Sequence, residues 1–96
     1  MTQSIPKQIT RDIGDLLSRL AELGYMPTRA QYDAQSFGNY FVDLGSEQGW
    51  LRIVRDRNQY FVDVTSKEQL KNAGLFRAFD DRKEFERALL SWLSAA

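Results

Sequence analysis

Two aspartates and one arginine are the residues of this sequence best placed to do chemistry. Asp43 and Asp63 occupy the same position in the near-identical segments Asn39–Leu44 and Gln59–Val64. Two carboxylates on one surface are a common pair for general acid–base catalysis. Arg52 falls between the segments, however, and a guanidinium between two carboxylates favours the ionised form of both, which suppresses the acid role. We therefore interpret the three residues as a structural ion-pair row.

Other catalytic and metal-binding chemistry finds little support in the residue types. The chain has no cysteine and no histidine, which excludes thiolate zinc sites, disulfides and the commonest general base. Asp80 and Asp81 would suit a hard cation, but adjacent carboxylates before a helix are better explained by capping and the helix dipole. We expect a non-enzymatic protein with no catalytic residue, metal or cofactor. An enzyme that uses only carboxylates and tyrosines is the least favoured alternative.

Basic and aromatic residues interleave in one region, as they do in proteins that bind single-stranded nucleic acid. The residues are Trp50, Arg52, Arg55, Arg57, Tyr60 and Phe61. Strand alternation would divide these arginines between two faces, and 13 basic residues against 13 acidic ones leave no net charge. Binding to nucleic acid depends on releasing counterions from phosphates, which needs an excess of positive charge. We expect no nucleic-acid partner.

The length predicts a single domain over residues 1–96. A cytoplasmic location is expected, because no secretory signal, no apolar run of membrane-spanning length and no cysteine is seen. Apolar residues spaced by three and four predict a first helix from Pro6 to Leu23, with Ser4 as its N-cap and Gly24 as its C′ residue. Residues 25–36 show no period and are interpreted as a loop that contains Tyr32 and Asp33.

Three strands and two further helices are predicted after that loop. The strands cover residues 37–44, 50–56 and 59–65, and capping boxes at Ser66 and Asp81 predict a short helix that ends near Gly74 and a longer last helix. The element order is α-β-β-β-α-α. The predicted fold class is α+β, a three-stranded antiparallel meander with the first and last helices on one face.

The predicted register decides which side chains share a face. A two-residue turn at Arg57–Asn58 and a six-residue connection at Gly45–Trp50 set Arg52 opposite both Asp63 and Asp43. A three-residue second turn would instead place Arg52 in the core row. Burying an unpaired charge costs roughly several kcal/mol, whereas a cross-strand pair contributes only ~0.2–1 kcal/mol. The first register is therefore predicted.

In this register, one face of the sheet is aliphatic and the other combines apolar and charged residues. The second face carries Phe41, Asp43, Trp50, Arg52, Val54, Phe61 and Asp63. A large apolar patch with a charged rim is typical of a protein contact site. A cover formed by the loop 25–36 or by a C-terminal helix would make the same patch ordinary core. The sequence leaves both interpretations open.

Three segments resemble a group of small bacterial proteins, the immunity proteins of polymorphic and contact-dependent inhibition toxin systems. These segments are Ser36–Leu44, Leu51–Val64 and Phe79–Phe85, and the resemblance covers roughly residues 36–93. Asn58 stands where a tight-turn glycine is expected. The resemblance implies a non-enzymatic cytoplasmic protein that binds a cognate toxin domain, often a nuclease, and neutralises it.

We accordingly expect an immunity-type protein whose partner is a toxin domain, with no membrane partner. The candidate contacts are Phe41, Asp43, Trp50, Arg52, Phe61 and Asp63, with Tyr32 and Asp33 as a second choice. A nuclease partner, with its basic cleft, would prefer the acidic members. The alternative is a small homo-oligomeric or adaptor domain that uses the same face, with a homodimer as the possible assembly.

Overall fold

The computed structural model describes residues 5–36 and 38–95. Three helices and four strands follow one another as α1 Lys7–Glu22, β1 Met26–Asp33, β2 Asn39–Ser46, β3 Gly49–Asp56, β4 Gln59–Val64, α2 Lys67–Asn72 and α3 Arg82–Ser94. The strands form one antiparallel sheet in the order β1-β2-β3-β4. The α+β class is confirmed, whereas the prediction of three strands is wrong by one.

The additional strand is β1, which occupies most of the segment expected to be a loop. It pairs with β2, and the register shifts at a bulge between Pro27 and Arg29. A bulge and a proline are tolerated because β1 lies at the edge of the sheet, where one side of the backbone needs no ladder partner. Both features interrupt the apolar–polar alternation by which a strand is recognised in a sequence.

The two hairpins have the predicted register. Arg52 lies opposite Asp43 and Asp63. Arg57 and Asn58 have φ angles of 53° and 66°, the two left-handed residues of a type I′ turn, whose twist matches the flanking strands. The connection between β2 and β3, predicted to span Gly45–Trp50, is shorter than that. The β2–β3 ladder continues to Ser46 opposite Gly49. The predicted strand start at Phe37 lies outside the described residues.

The aliphatic face of the sheet forms the core, as predicted. Val42, Leu44, Leu51, Ile53 and Val62 are at most 4% exposed. The apolar stripe of α1 and the buried residues Phe85 and Leu89 of α3 belong to the same cluster. Burial of these side chains from water is the main favourable free energy of the fold.

The ends of the helices agree with the sequence in part. Gly24 ends α1 at φ +95°, and the amide of Tyr25 donates to Leu20 O across it, a Schellman arrangement that favours glycine. Asp81 caps α3 by accepting a hydrogen bond from the amide of Lys83. The Ser66 side chain makes no capping hydrogen bond to α2. The predicted cap Ser4 lies outside the described residues.

Candidate functional site

The sheet surface opposite the helices, here called the open face, holds most of the predicted contact residues. Alternation along the strands places Phe41 and Asp43 of β2, Arg52 and Val54 of β3, and Phe61 and Asp63 of β4 on it. All six are partly exposed. β1 lies beside β2 in the plane of the sheet rather than over it. None of the six belongs to the buried core, so the interpretation of this patch as ordinary core does not hold.

Arg52 and Asp43 form an ion pair with two hydrogen bonds on the open face. Arg52 Nε donates to Asp43 Oδ1 at 2.6 Å and Arg52 NH2 donates to Asp43 Oδ2 at 3.0 Å. These bonds raise the pKa of the guanidinium above its ordinary value, so it stays charged. Its second cross-strand neighbour, Asp63, is not among its ion-pair partners in the described structure. The predicted row of Asp43, Arg52 and Asp63 is correct in register. Among the described residues, however, Arg52 forms its ion pair with Asp43 and not with Asp63.

The Phe41 ring is flanked by two guanidinium groups. Arg52 Cζ lies 4.3 Å from the ring centroid and Arg29 Cζ lies 5.3 Å from it. Arg29 is the residue of β1 that pairs with Asp43. Cation–π contacts of this kind restrict the side chains involved. The side chains at the centre of the open face therefore contact one another in the free chain.

The open face continues past β4 into a residue that sequence reasoning missed. Phe76 follows α2, is 50% exposed, and lines a depression of about 290 Å³ with Phe61, Asp63 and Arg77. Lys71 Nζ lies 5.2 Å from the Phe76 ring centroid. Phe76 belongs to no periodic stripe. A phenylalanine two residues after a helix-ending glycine was the only sequence signal for it.

Of the remaining predicted contact residues, Trp50 and Asp33 lie on the side of the open face and Tyr32 lies on the other side of the sheet. Trp50, 46% exposed, lies opposite Gly45 at one end of the open face. Asp33 ends β1 on the same side, and its Oδ1 accepts a hydrogen bond from the Gln35 amide. Tyr32 packs against the core instead. Tyr32 and Asp33 were grouped as neighbours in a loop, but consecutive residues of a strand point to opposite faces.

A second cluster of polar residues, here called the Asp12 network, lies on the helix-covered side of the sheet and was not predicted. Asp12 Oδ2 accepts hydrogen bonds from Tyr40 Oη at 2.7 Å and from Tyr60 Oη at 2.8 Å. The guanidinium groups of Arg55 and Arg82 lie 3.7 and 3.6 Å from the carboxylate. Tyr40, Arg55 and Tyr60 lie opposite one another, one residue beyond the predicted row of Phe41, Val54 and Phe61. An arginine on the core side of the sheet requires a carboxylate from the covering helix. The sequence could have indicated the Asp12 network through this requirement.

The chemistry of the Asp12 network favours a structural role. Burial and the hydrogen bond to Asp12 raise the pKa of Tyr60 to about 12, and the same causes raise the pKa of Tyr40 further. A tyrosine with a raised pKa is a poor base or nucleophile near neutral pH. Arg82 NH1 also donates to Asp12 O at 2.9 Å, beside Ile13, where α1 departs from helical geometry. The cluster thus joins α1 and α3 to the sheet.

The residues considered for cations and nucleic acid are separated by the fold. Asp81 caps α3, while Asp80 Oδ1 accepts a hydrogen bond from Gln59 Nε2 at 2.7 Å. Arg52 lies on the open face, but Arg55 lies on the other face, where it donates to Gly38 O, so the arginines form no continuous basic surface. Over the described ranges, no group of three or more acidic residues has the geometry of a metal site. In the same part of the chain, no helix is both long and apolar enough to cross a bilayer.

Comparison of the chain with protein-family models, with curated proteins and with solved structures gives no match.

Proposed function

We propose that this chain is an immunity-type protein that binds a cognate bacterial toxin domain through its open face and neutralises it without catalysis of its own. The resemblance of residues 36–93 suggests the class of protein. The geometry of the open face suggests which surface makes the contact.

The partly exposed centre of the open face, whose side chains contact one another, is the observation that carries the proposal. Phe41 is held by Arg29 and Arg52, and Arg52 is held by both oxygens of Asp43. Side chains already fixed in one arrangement lose little conformational freedom on binding, so more of the contact energy appears as affinity. Aromatic residues and arginine are also the types enriched at the energetic centres of protein interfaces.

Charge then indicates the chemistry of the partner. Asp63 keeps a carboxylate that Arg52 does not engage as an ion pair, and it lies beside the depression lined by Phe61 and Phe76. A basic surface, such as the substrate cleft of a nuclease, would meet Asp63 while an apolar side chain enters the depression. Complementary charge of this kind mainly raises the association rate and selects the partner.

Co-expression with a candidate toxin domain from a neighbouring gene tests the proposal. We expect the chain to rescue growth and to co-elute with the toxin on gel filtration. Asp63→Lys should slow association and weaken rescue, whereas the matched charge reversal Glu22→Lys, at an exposed position of α1, should leave both unchanged. Absence of rescue together with absence of a complex would refute the function. Equal loss in both variants would refute the assignment of the surface.

A homodimeric or adaptor domain is the second candidate, and the mixed charge of the open face favours it. Arg29 and Arg52 share that face with Asp43 and Asp63. A two-fold contact requires one surface that is complementary to itself. Sedimentation equilibrium should then show a concentration-dependent dimer that Phe61→Asp abolishes. A monomer at all concentrations would remove the homodimer.

A further inference from the structure

The outer side of β1 is a free edge of the sheet. The strand order places β1 at one end, where β2 is its only neighbour. The opposite edge differs, because Tyr60 of β4 exchanges backbone hydrogen bonds of 2.8 and 2.7 Å with Phe79. Among residues 5–36 and 38–95, no strand pairs with β1 on its outer side. β1 therefore offers a row of backbone groups to an additional strand.

The alternation of hydrogen bonds across the sheet identifies which β1 residues face outward. In an antiparallel sheet, a residue whose backbone bonds to one neighbouring strand does not bond to the other. Tyr60 bonds outward, away from β3, so its β3 partner Arg55 bonds to β2. Tyr40, the β2 partner of Arg55, is then bonded to β3 and not to Tyr32 of β1. The amide and carbonyl of Tyr32 thus point away from the sheet, as do those of Ala30 two positions earlier.

The sequence of β1 determines where along this edge a strand can pair. Pro27 and the bulge that follows it lie at the start of β1, and both features obstruct pairing between edges. From Arg29 to Asp33 the ladder with β2 is regular. The side chains of Arg29 and Asp33 are exposed on the side of the open face, whereas Ala30 and Tyr32 pack against the core. Residues 29–33 are therefore the part of the edge that can accept a partner strand.

The charges of this segment complement a second copy of the same segment. A two-fold axis perpendicular to the sheet makes two β1 strands antiparallel. With the axis at Gln31, Ala30 lies opposite Tyr32 of the second copy, so the outward backbone groups of both copies meet and can bond. Arg29 of each copy then lies opposite Asp33 of the other, and opposite charges that face each other across strands are favourable. A shift of the register towards either end separates these charges.

We infer that this chain forms a two-fold dimer in which the β1 strands of two copies pair antiparallel about Gln31 and continue the sheet from one chain into the other. Because the axis is perpendicular to the sheet, the open faces of both copies lie on the same side and stay exposed. The inference therefore does not rest on the proposed function. It also differs from a dimer through the open face, which would bury Phe61.

A charge swap measured by sedimentation equilibrium tests this pairing, with circular dichroism to check that each variant is folded. The full chain should show a concentration-dependent dimer. Arg29→Asp and Asp33→Arg each place like charges opposite one another, so each should weaken dimerisation about tenfold or more. The double variant restores opposite charges and should recover the association of the parent chain. Glu68→Arg, a matched reversal at an exposed position of α2, and Phe61→Asp on the open face should change it by less than about twofold.

Amide hydrogen exchange followed by nuclear magnetic resonance locates the contact. The amides of Ala30 and Tyr32 should exchange more slowly as the chain concentration rises, because they are bonded only in the dimer. The amide of Gln31 bonds to β2 and should be protected at every concentration. A monomer at all concentrations would overturn the inference, as would a double variant that associates as weakly as the single ones. Exchange at Ala30 and Tyr32 that does not depend on concentration, or a dimer that Phe61→Asp abolishes, would overturn it as well.

Discussion

Replacing Asp12 by alanine should destabilise the fold more than any single change on the open face. The substitution removes the common acceptor of Tyr40 Oη and Tyr60 Oη, at 2.7 and 2.8 Å. Those two tyrosines are only 4% and 6% exposed, so their hydroxyl groups would be left without a partner in a region with little access to water. Arg55 would also lose its nearby carboxylate.

The expected magnitude follows from these contacts. A hydrogen bond to a charged group contributes roughly 1.5–3 kcal/mol, and the partly exposed ion pairs of Arg55 and Arg82 contribute about 0–1 kcal/mol each. The Asp12 side chain is 24% exposed, so water can re-enter and offset part of the loss. We expect the free energy of unfolding to fall by about 3 kcal/mol. That is a large part of the roughly 5–15 kcal/mol that holds a small domain together.

Urea denaturation followed by circular dichroism measures this loss, with Asp15→Ala as the matched control on the exposed side of the same helix. The control should stay within about 0.5 kcal/mol of the parent chain. Asp12→Asn, which keeps one acceptor but removes the charge, should fall between the two. A double-mutant cycle of Asp12→Ala with Tyr60→Phe should show a coupling energy of about 1 kcal/mol or more. If Asp12→Ala and Asp15→Ala differ by less than about 1 kcal/mol, the Asp12 network does not hold the helices to the sheet.

Three further outcomes are expected. Because the folded state raises the pKa of Tyr60 to about 12, the stabilisation from its neutral hydroxyl is complete below about pH 10. The free energy of unfolding should decline as the pH rises from about 10 towards 12, and less steeply in Tyr60→Phe; identical slopes would contradict this. Arg57→Gly should stabilise the chain by up to ~1 kcal/mol, because Arg57 has a left-handed φ of 53° that costs a residue with a Cβ atom more than it costs glycine. Urea denaturation measures this change. A loss of stability would show that the Arg57 side chain matters more than its backbone. Asp43→Ala should lower the free energy of unfolding by less than about 1 kcal/mol, because the side chains of Arg52 and Asp43 are 37% and 19% exposed. A loss as large as that of Asp12→Ala would show that this ion pair stabilises the fold as much as the Asp12 network does.

The hairpins and their faces could be predicted because their signals are local. The strand β4 follows β3 after two residues, and Asn58 tolerates the left-handed conformation that such a turn requires. Once the turn length is known, alternation places Arg52 opposite Asp63 and separates the aliphatic row from the charged one. Six of the eight predicted contact residues lie on the open face for this reason, and Asp33 of β1 lies on the same side.

β1 escaped prediction because its identity as a strand depends on a neighbour. Pro27 and the bulge after it remove the alternation within the segment, and β1 becomes a strand only when the edge of β2 offers it hydrogen-bond partners. Tyr32 was consequently placed in a loop, whereas it lies in a strand and packs against the core. Pairing between distant segments is decided by the assembled sheet, and no short sequence pattern encodes it.

The sequence by itself determined the α+β fold class, the helices with their apolar stripes, the register of the two predicted hairpins and the composition of each face. These features depend on residue type and on spacing over a few positions, where side-chain periodicity and turn geometry are decisive. Only the tertiary structure decided that the residues of the open face stay outside the buried core. It also decided that Asp12 meets Tyr40 and Tyr60. Each of these relations joins residues far apart in the chain, and they become neighbours only when burial of the common core fixes the helices against the sheet.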